Sequence, residues 1–303
     1  MSRILVLGSL NVDLVLYVDR FPVPGETVRA QTLEQHAGGK GANQACAVAR
    51  LGGSVSMLGC VGDDAHGAWL CQQLADEGVD VTRVQAVPGV STGTAVIQVD
   101  AHGQNHIVLV AGANGIVPVP VLTDGHCLLL QLEIPVATVE AAALQARARG
   151  MTVILDPAPS AFLPAPLIRA TDWITPNESE LLSLYGKTGA HLSVDEATVL
   201  GRRLLTQGAR GVVVKLGEAG ALLLQGDTAR HVPAFPVTAV DTTAAGDAFN
   251  GAFAVALDRG HAPFEAARYA AAAAAASVTR AGAQSSMPTP DNPLLVEFDS
   301  QVG

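Results

Sequence analysis

Short unbroken apolar runs recur along the chain, and between them lie stretches with helical patterning. Residues 4–7 form the first run and stop at Gly8, the pattern of a parallel strand buried on both faces. Residues 55–60, 127–131, 152–156, 173–175 and 211–215 repeat it. Helices are expected from Gly38–Gly39–Lys40–Gly41 to about Leu51, and over 65–77, 136–149, 178–184, 194–207 and 248–257. The Ala-rich run 270–276 reads as a helix packed closely against the sheet. Alternating strand and helix predict an α/β fold: a mostly parallel central sheet with helices on both faces. Two stretches break the rhythm. Residues 14–18 and 27–35 alternate apolar and polar across a turn-rich link at 21–25, and 94–99 and 106–110 flank a polar turn at 100–104. Both read as exposed hairpins forming a small accessory β-sheet. The expectation is one domain over 1–303, with hairpins at about 12–37 and 92–111.

Ligands in such folds gather at the carboxyl ends of the strands. Polar residues sit there: Asn11 and Asp13 after the first run, Glu133 after 127–131, and Asn177 and Glu180 after 173–175.

Composition narrows the class. The chain has 303 residues, 49% of them hydrophobic and 15% charged, enough apolar material for a sizeable core and unlike a disordered chain. A formal net charge of −10 with no Lys/Arg run argues against a sequence-independent nucleic-acid surface. Cys46, Cys60, Cys71 and Cys127 make no CxxC pair and lie among apolar neighbours, as buried free thiols in a reducing compartment would. Gly8, Asn11 and Asp13 interrupt the N-terminal apolar stretch, so no signal peptide is expected, and no apolar run reaches membrane-spanning length. The expected location is the cytoplasm.

Several literal motifs fail on context. No GxxxxGK[ST] or strand-linked GxGxxG occurs. Residues 89–93 match GxSxG, but a strand pattern follows the Ser where a nucleophile elbow needs a helix. His102 and His106 fall on a hairpin, not a helix, which argues against a metal pair.

Residues 240–250 carry more weight. Asp241, Thr243, Ala244, Ala245, Gly246 and Asp247 lead into a helix. Small residues at a helix entrance bring unpaired amides and the positive end of the dipole to an anion. An aspartate in that turn suits a hydroxyl that must lose its proton while attacking a phosphate held on those amides. The plainer reading, an N-cap aspartate, is equally good for this stretch alone. Gly38–Gly39–Lys40–Gly41–Ala42–Asn43 permits close approach to a polyol, or is simply a flexible helix entrance. Lys215, Leu216, Gly217, Glu218, Ala219 and Gly220 form a Gly-rich turn after a strand, which is also an ordinary hairpin connection.

Together, the glycine pair with Asn43, the Asn177-x-x-Glu180 pair and the Asp241-Thr-x-x-Ala-Gly-Asp247 run resemble the ribokinase-like carbohydrate kinases, the pfkB family. Residues 7–13, 21–27, 111–114, 156–159, 175–178 and 279–284 extend the resemblance over 3–290. It implies ATP-dependent phosphorylation of D-ribose at O5. Asp247 would be the general base, and the amides of Ala244, Ala245, Gly246 and Asp247 the anion hole. Asn11, Asp13, Gly39, Lys40, Gly41, Asn43 and Glu133 would hold the sugar. Asn177, the turn from Lys215 to Gly220, and Gly246 would meet ATP, with Glu180 organising Mg²⁺ through water. A K⁺ site would draw on Asp241, Thr243, Ser277, Arg280, Gly282 and Ser286. The hairpins would form a lid over the sugar and pair with a second copy as a homodimer.

Three residues depart from the family pattern. Ala244 stands where Gly is usual, Lys215 where Thr is common, and Ala271 where a His often lies near the adenine. The last two bear on nucleotide affinity and base preference, not on the reaction. Competing readings are a kinase for 2-deoxyribose or another pentose, a sugar-binding sensor without catalysis, and a dinucleotide-dependent oxidoreductase, which the missing glycine fingerprint disfavours.

Overall fold

The computed structural model describes residues 3–122, 125–189 and 191–302; the ends of the expected 1–303 domain lie outside the described residues. Among the described residues nine strands make the main sheet. Their order is β13 (Thr228–Val232), β12 (Ala221–Gln225), β11 (Gly211–Lys215), β10 (Trp173–Ile174), β9 (Thr152–Leu155), β8 (Cys127–Leu130), β1 (Ile4–Leu7), β4 (Val55–Gly62) and β5 (Asp80–Val87). From β11 to β5 every pairing is parallel, and β12 and β13 return antiparallel.

Strand alternation divides the core into two layers. Ile4, Val6, Met57, Leu129 and Ile154 face α1 (Lys40–Arg50), α2 (Ala65–Asp76), α7 (Ala245–Asp258), α8 (Pro263–Ser277) and α9 (Pro293–Val302). Leu5, Leu7, Leu58, Leu128, Leu130 and Leu155 face α3 (Val136–Ala148), α4 (Ala165–Ala170), α5 (Glu178–Ser183) and α6 (Val194–Thr206). Strands β1, β4 and β8 are buried along their whole length, which is why they read as continuous apolar runs.

The two hairpins form as β2 (Asn11–Val18) with β3 (Ala30–Gly38) and β6 (Gly93–Val99) with β7 (Asn105–Val110). They join through parallel β2 and β6 into one four-stranded sheet. Both faces of β7 are exposed, and Ile107, Val108 and Leu109 are each more than half accessible.

Some elements escaped the sequence pattern. The edge strand β5 carries Asp80, Thr82, Arg83 and Gln85, and β13 reads Thr-Ala-Arg-His-Val, so neither has an apolar run. Helix α4 is short and follows Pro164. The Ala-rich helix α8 packs chiefly on α7, meeting the sheet at β12 and β13. Small side chains there serve close helix–helix approach. All four cysteines are free; Cys71 is only half-buried. Among the described residues no helix is long and apolar enough to cross a membrane.

Candidate active site

The site begins where β1 ends. Gly39 precedes α1 with φ 91°, and a Cβ there would lie 2.7 Å from the Asn11 amide nitrogen. A Cβ on Gly41 would lie 2.6 Å from the Ser9 amide nitrogen. The glycines therefore serve a close approach of backbone to backbone, which pushes the first turn of α1 into the site. Gly38 leaves room for the Asp13 carboxylate, whose Oδ2 would sit 2.1 Å from a Cβ. Asn114, which sequence reasoning gave no role, clamps this corner. Its Nδ2 donates to Asn11 Oδ1 at 2.7 Å and to the Leu10 carbonyl at 3.0 Å, and its Oδ1 accepts from the Leu10 amide. Glu133 accepts from Ser9 Oγ at 2.5 Å and from the Lys40 amide at 3.0 Å. Burial, with the nearby Glu133 charge, pushes Asp13 up to about 7, and His36 partly opposes the rise.

Asp247 lies in the first turn of α7, 4% exposed. Asn43 Nδ2 donates to its Oδ2 at 3.0 Å, and Gln44 Nε2 donates to its Oδ1 at 3.0 Å. Gln44 was not singled out from the sequence, yet its Nε2 also reaches Asp156 Oδ2 at 3.0 Å, and its Oε1 accepts from Gln131 at 2.6 Å. Burial pushes the Asp247 pKa up, the Lys40 charge pulls it back, Asp156 adds to the rise, and the hydrogen bonds from Asn43 and Gln44 restrain it; the result is about 6. Burial works against the Lys40 charge, but Asp247, Asp156, Glu133 and Glu180 outweigh it and hold its pKa above the ordinary lysine value.

The turn before Asp247 is tighter than a plain helix start. Ala244 sits at φ 58°, the only non-glycine with positive φ among the described residues. The Ala245 and Asp247 amides close turn bonds on the Thr242 and Ala244 carbonyls at 3.2 and 3.0 Å. Among the described residues, those of Ala244 and Gly246 have no hydrogen-bond acceptor. Two of the four expected anion-hole amides are thus free for a ligand.

On the far side, Lys215 at the end of β11 donates from Nζ to Asp156 Oδ1 at 2.9 Å. Leu216, Gly217, Glu218 and Ala219 turn the chain into β12, and Gly220 (φ 91°) passes so close to β13 that a Cβ would meet the Val232 carbonyl oxygen at 2.1 Å. The turn is a hairpin connection in form. Asn177 bridges to Lys215 and caps α5: its Oδ1 accepts from the Glu180 amide at 2.8 Å, and Glu180 Oε2 accepts from the Asn177 amide at 2.8 Å. Asn177 Nδ2 also donates to Glu180 Oε1 at 3.0 Å. Burial raises the Glu180 pKa despite the Lys215 charge.

Of the last expected group, Asp241 ties together Thr243 and Gly282. Its Oδ1 accepts from the Thr243 amide and hydroxyl at 2.9 and 2.7 Å, and its Oδ2 from the Gly282 amide at 2.8 Å. Burial opposes its charge, but these donors prevail and hold its pKa below the ordinary carboxylate value. The Ser277 and Ser286 hydroxyls donate to backbone carbonyls, and Arg280 is exposed. Among the described residues no group of three or more His, Cys, Asp or Glu is placed to hold a metal. The carboxylate, hydroxyls and carbonyls of this group are hard oxygen donors, without the thiolate or imidazole ligands that softer metals favour.

The rejected motifs supply no nucleophile or metal pair here, although Gly93 of the 89–93 match leaves room for Asn11 Oδ1, 2.4 Å from where its Cβ would be. Ser91 lies in the loop before β6 and accepts from Ala113 through its carbonyl, and His106 stacks on Phe21 with ring centroids 3.8 Å apart.

Comparison with known proteins places the chain. Residues 1–290 match the pfkB family carbohydrate kinases. A ribokinase of Haemophilus influenzae is 42% identical over 292 residues, covering 94% of each chain. A deoxyribokinase of Salmonella typhi is 38% identical, covering 94% of this chain and 95% of its own. The solved structure of Arabidopsis thaliana ribokinase complexed with ribose and ATP superposes with a TM-score of 0.91 at 35% identity, covering 98% of each chain.

Proposed function

The chain belongs to the pfkB family of carbohydrate kinases and is an ATP-dependent sugar kinase, and from that premise we propose that it transfers the γ-phosphate of ATP to O5 of D-ribose. The observation that carries this reading is the Asp247 carboxylate, held by Asn43 and Gln44 beside the free amides of Ala244 and Gly246. In the proposed reaction Asp247 takes the O5 proton as oxygen attacks the γ-phosphorus, and ADP leaves. A pKa of about 6 keeps the carboxylate ionised near neutrality and basic enough to share the proton in the transition state. Positioning and charge stabilisation do the rest, because phosphoryl transfer needs little covalent help.

Asn11, Asp13, the Gly39–Lys40–Gly41 backbone, Asn43 and Glu133 would hold the sugar hydroxyls. Asn177 and the turn from Lys215 to Gly220 would hold the nucleotide. Mg²⁺ would neutralise the phosphates when bound. Glu180, whose two oxygens already cap Asn177, suits contact with it through water. K⁺ would occupy the loop around Asp241, Thr243, Ser277, Arg280, Gly282 and Ser286, fixing the approach to α7. The four-stranded sheet would close over the sugar and exclude water. Its exposed apolar strand β7 supports pairing with a second copy in a homodimer. The free thiols support a cytoplasmic location.

The deoxyribokinase relative supports a second reading, 2-deoxyribose as the acceptor. Phosphorus NMR of the products formed from each sugar with Mg-ATP tests the assignment. A 5-phosphate of ribose formed in preference is the expected result, and preference for the deoxy sugar overturns the choice of acceptor.

A further inference from the structure

The Lys215 ammonium lies between a fixed carboxylate and the phosphate-binding turn. Its side chain is 12% exposed, and Nζ sits 2.9 Å from Asp156 Oδ1. Nζ also lies 3.3 Å from the point that a Cβ on Gly246 would occupy. Gly246 has no positive φ, so its backbone alone does not demand glycine. What the missing side chain provides there is room for an ammonium group beside an unpaired amide. Three N–H bonds point out from Nζ, and among the described residues Asp156 is its one hydrogen-bond partner.

We propose that Lys215 is a catalytic cation that contacts the phosphoryl group in transit, and that Asp156 is the positioning residue that aims it. The proposal rests on the reading of the Ala244–Gly246 turn as the γ-phosphate site. Charge in the pocket is otherwise mostly negative: Asp13, Glu133, Asp156, Glu180 and Asp247 converge there, and Lys40 faces the carboxylates. Nζ is near enough to the Gly246 position for a phosphate on that amide to be met without moving the Lys215 backbone, whose N–H donates a hydrogen bond to the Pro176 carbonyl at 2.9 Å. Gln44 holds the other Asp156 oxygen and the base Asp247 with the same Nε2, so the base and the cation are set in one frame.

The plainer role for Lys215 is to neutralise Asp156, and the test separates the two. kcat and KM with Mg-ATP and D-ribose, thermal stability, and calorimetric affinities for AMP-PNP and ADP are measured for wild type, Lys215→Met, Lys215→Arg and the neutral pair Asp156→Asn/Lys215→Thr. The expected result is a kcat lower by on the order of 10²-fold in Lys215→Met with KM for ribose little changed, and partial recovery in Lys215→Arg. AMP-PNP affinity falls more than ADP affinity, and the neutral pair regains stability but not kcat. Restored kcat in the neutral pair, or equal weakening of AMP-PNP and ADP, overturns the proposal. If wild type does not phosphorylate ribose, the functional reading fails by itself, and the AMP-PNP to ADP contrast still decides the role of Lys215.

Discussion

Asn43 and Asp247 meet side chain to side chain at 3.0 Å although 204 positions separate them in the chain. The contact joins the first turn of α1 to the first turn of α7, and Gln44 repeats it on the other carboxylate oxygen. Each oxygen of Asp247 thus has one fixed donor and keeps a lone pair for a substrate hydroxyl. The orientation of this carboxylate, the proposed base, is set before any ligand arrives.

Gln44→Ala should therefore damage catalysis without touching the sugar. A hydrogen bond to a charged group is worth about 1.5–3 kcal/mol, so kcat is expected to fall by on the order of 10-fold or more. Because the Gln44 bond favours the charged carboxylate, its loss raises the Asp247 pKa further. The acid limb of kcat/KM against pH then moves to higher pH, and an unmoved limb counts against this role.

The raised pKa of Asp247 has a cost in stability. The folded protein holds this proton up to about pH 6, whereas the unfolded chain releases it near 3.8, so the contribution of Asp247 to stability falls as pH rises across that window and stays low above it. Asp247→Asn should raise Tm at pH 8 by on the order of a few degrees, with the gain vanishing toward pH 4. Calorimetry at the two pH values checks this. Asp13, at about 7, behaves in the same direction and remains in both proteins.

Ala244 adopts the left-handed conformation that costs an L-residue roughly 1 kcal/mol. Ala244→Gly removes that strain at the expense of a more flexible unfolded chain, for a net gain of about 0.5 kcal/mol. Thermal melts should show a small rise in Tm, and kcat should stay close to that of wild type, since the turn geometry is unchanged.

Asp241 ties Thr243 to Gly282 and so fixes the loop ahead of α7. With K⁺ proposed in that loop, Asp241→Ala should abolish any difference in rate between K⁺ and choline buffers. Stimulation by K⁺ that survives the substitution would place the cation elsewhere.

Most of the sheet was legible because its central strands are buried on both faces and leave unbroken apolar runs. The edge strands β5 and β13 were not, since one open side permits Asp80, Arg83 and Arg230. Asp247, Asn43 and Lys215 stood out by their place beside glycine turns. Gln44 and Asn114 did not: their importance comes from partners 203 and 104 positions away, which no local spacing reveals. The glycine pair marked this helix entrance in the sequence, but the contacts that require it did not show: a Cβ on Gly38 would meet the Asp13 carboxylate and one on Gly39 the Asn11 backbone.

The most direct test of the account is ADP release from Mg-ATP with D-ribose and with 2-deoxy-D-ribose, for wild type and Asp247→Asn side by side. The expected result is a higher kcat/KM on ribose and a loss on the order of 10²-fold or more in Asp247→Asn, with ribose binding retained. Wild-type turnover that persists in Asp247→Asn would contradict the assigned base, and an absence of turnover on either sugar would contradict the acceptor.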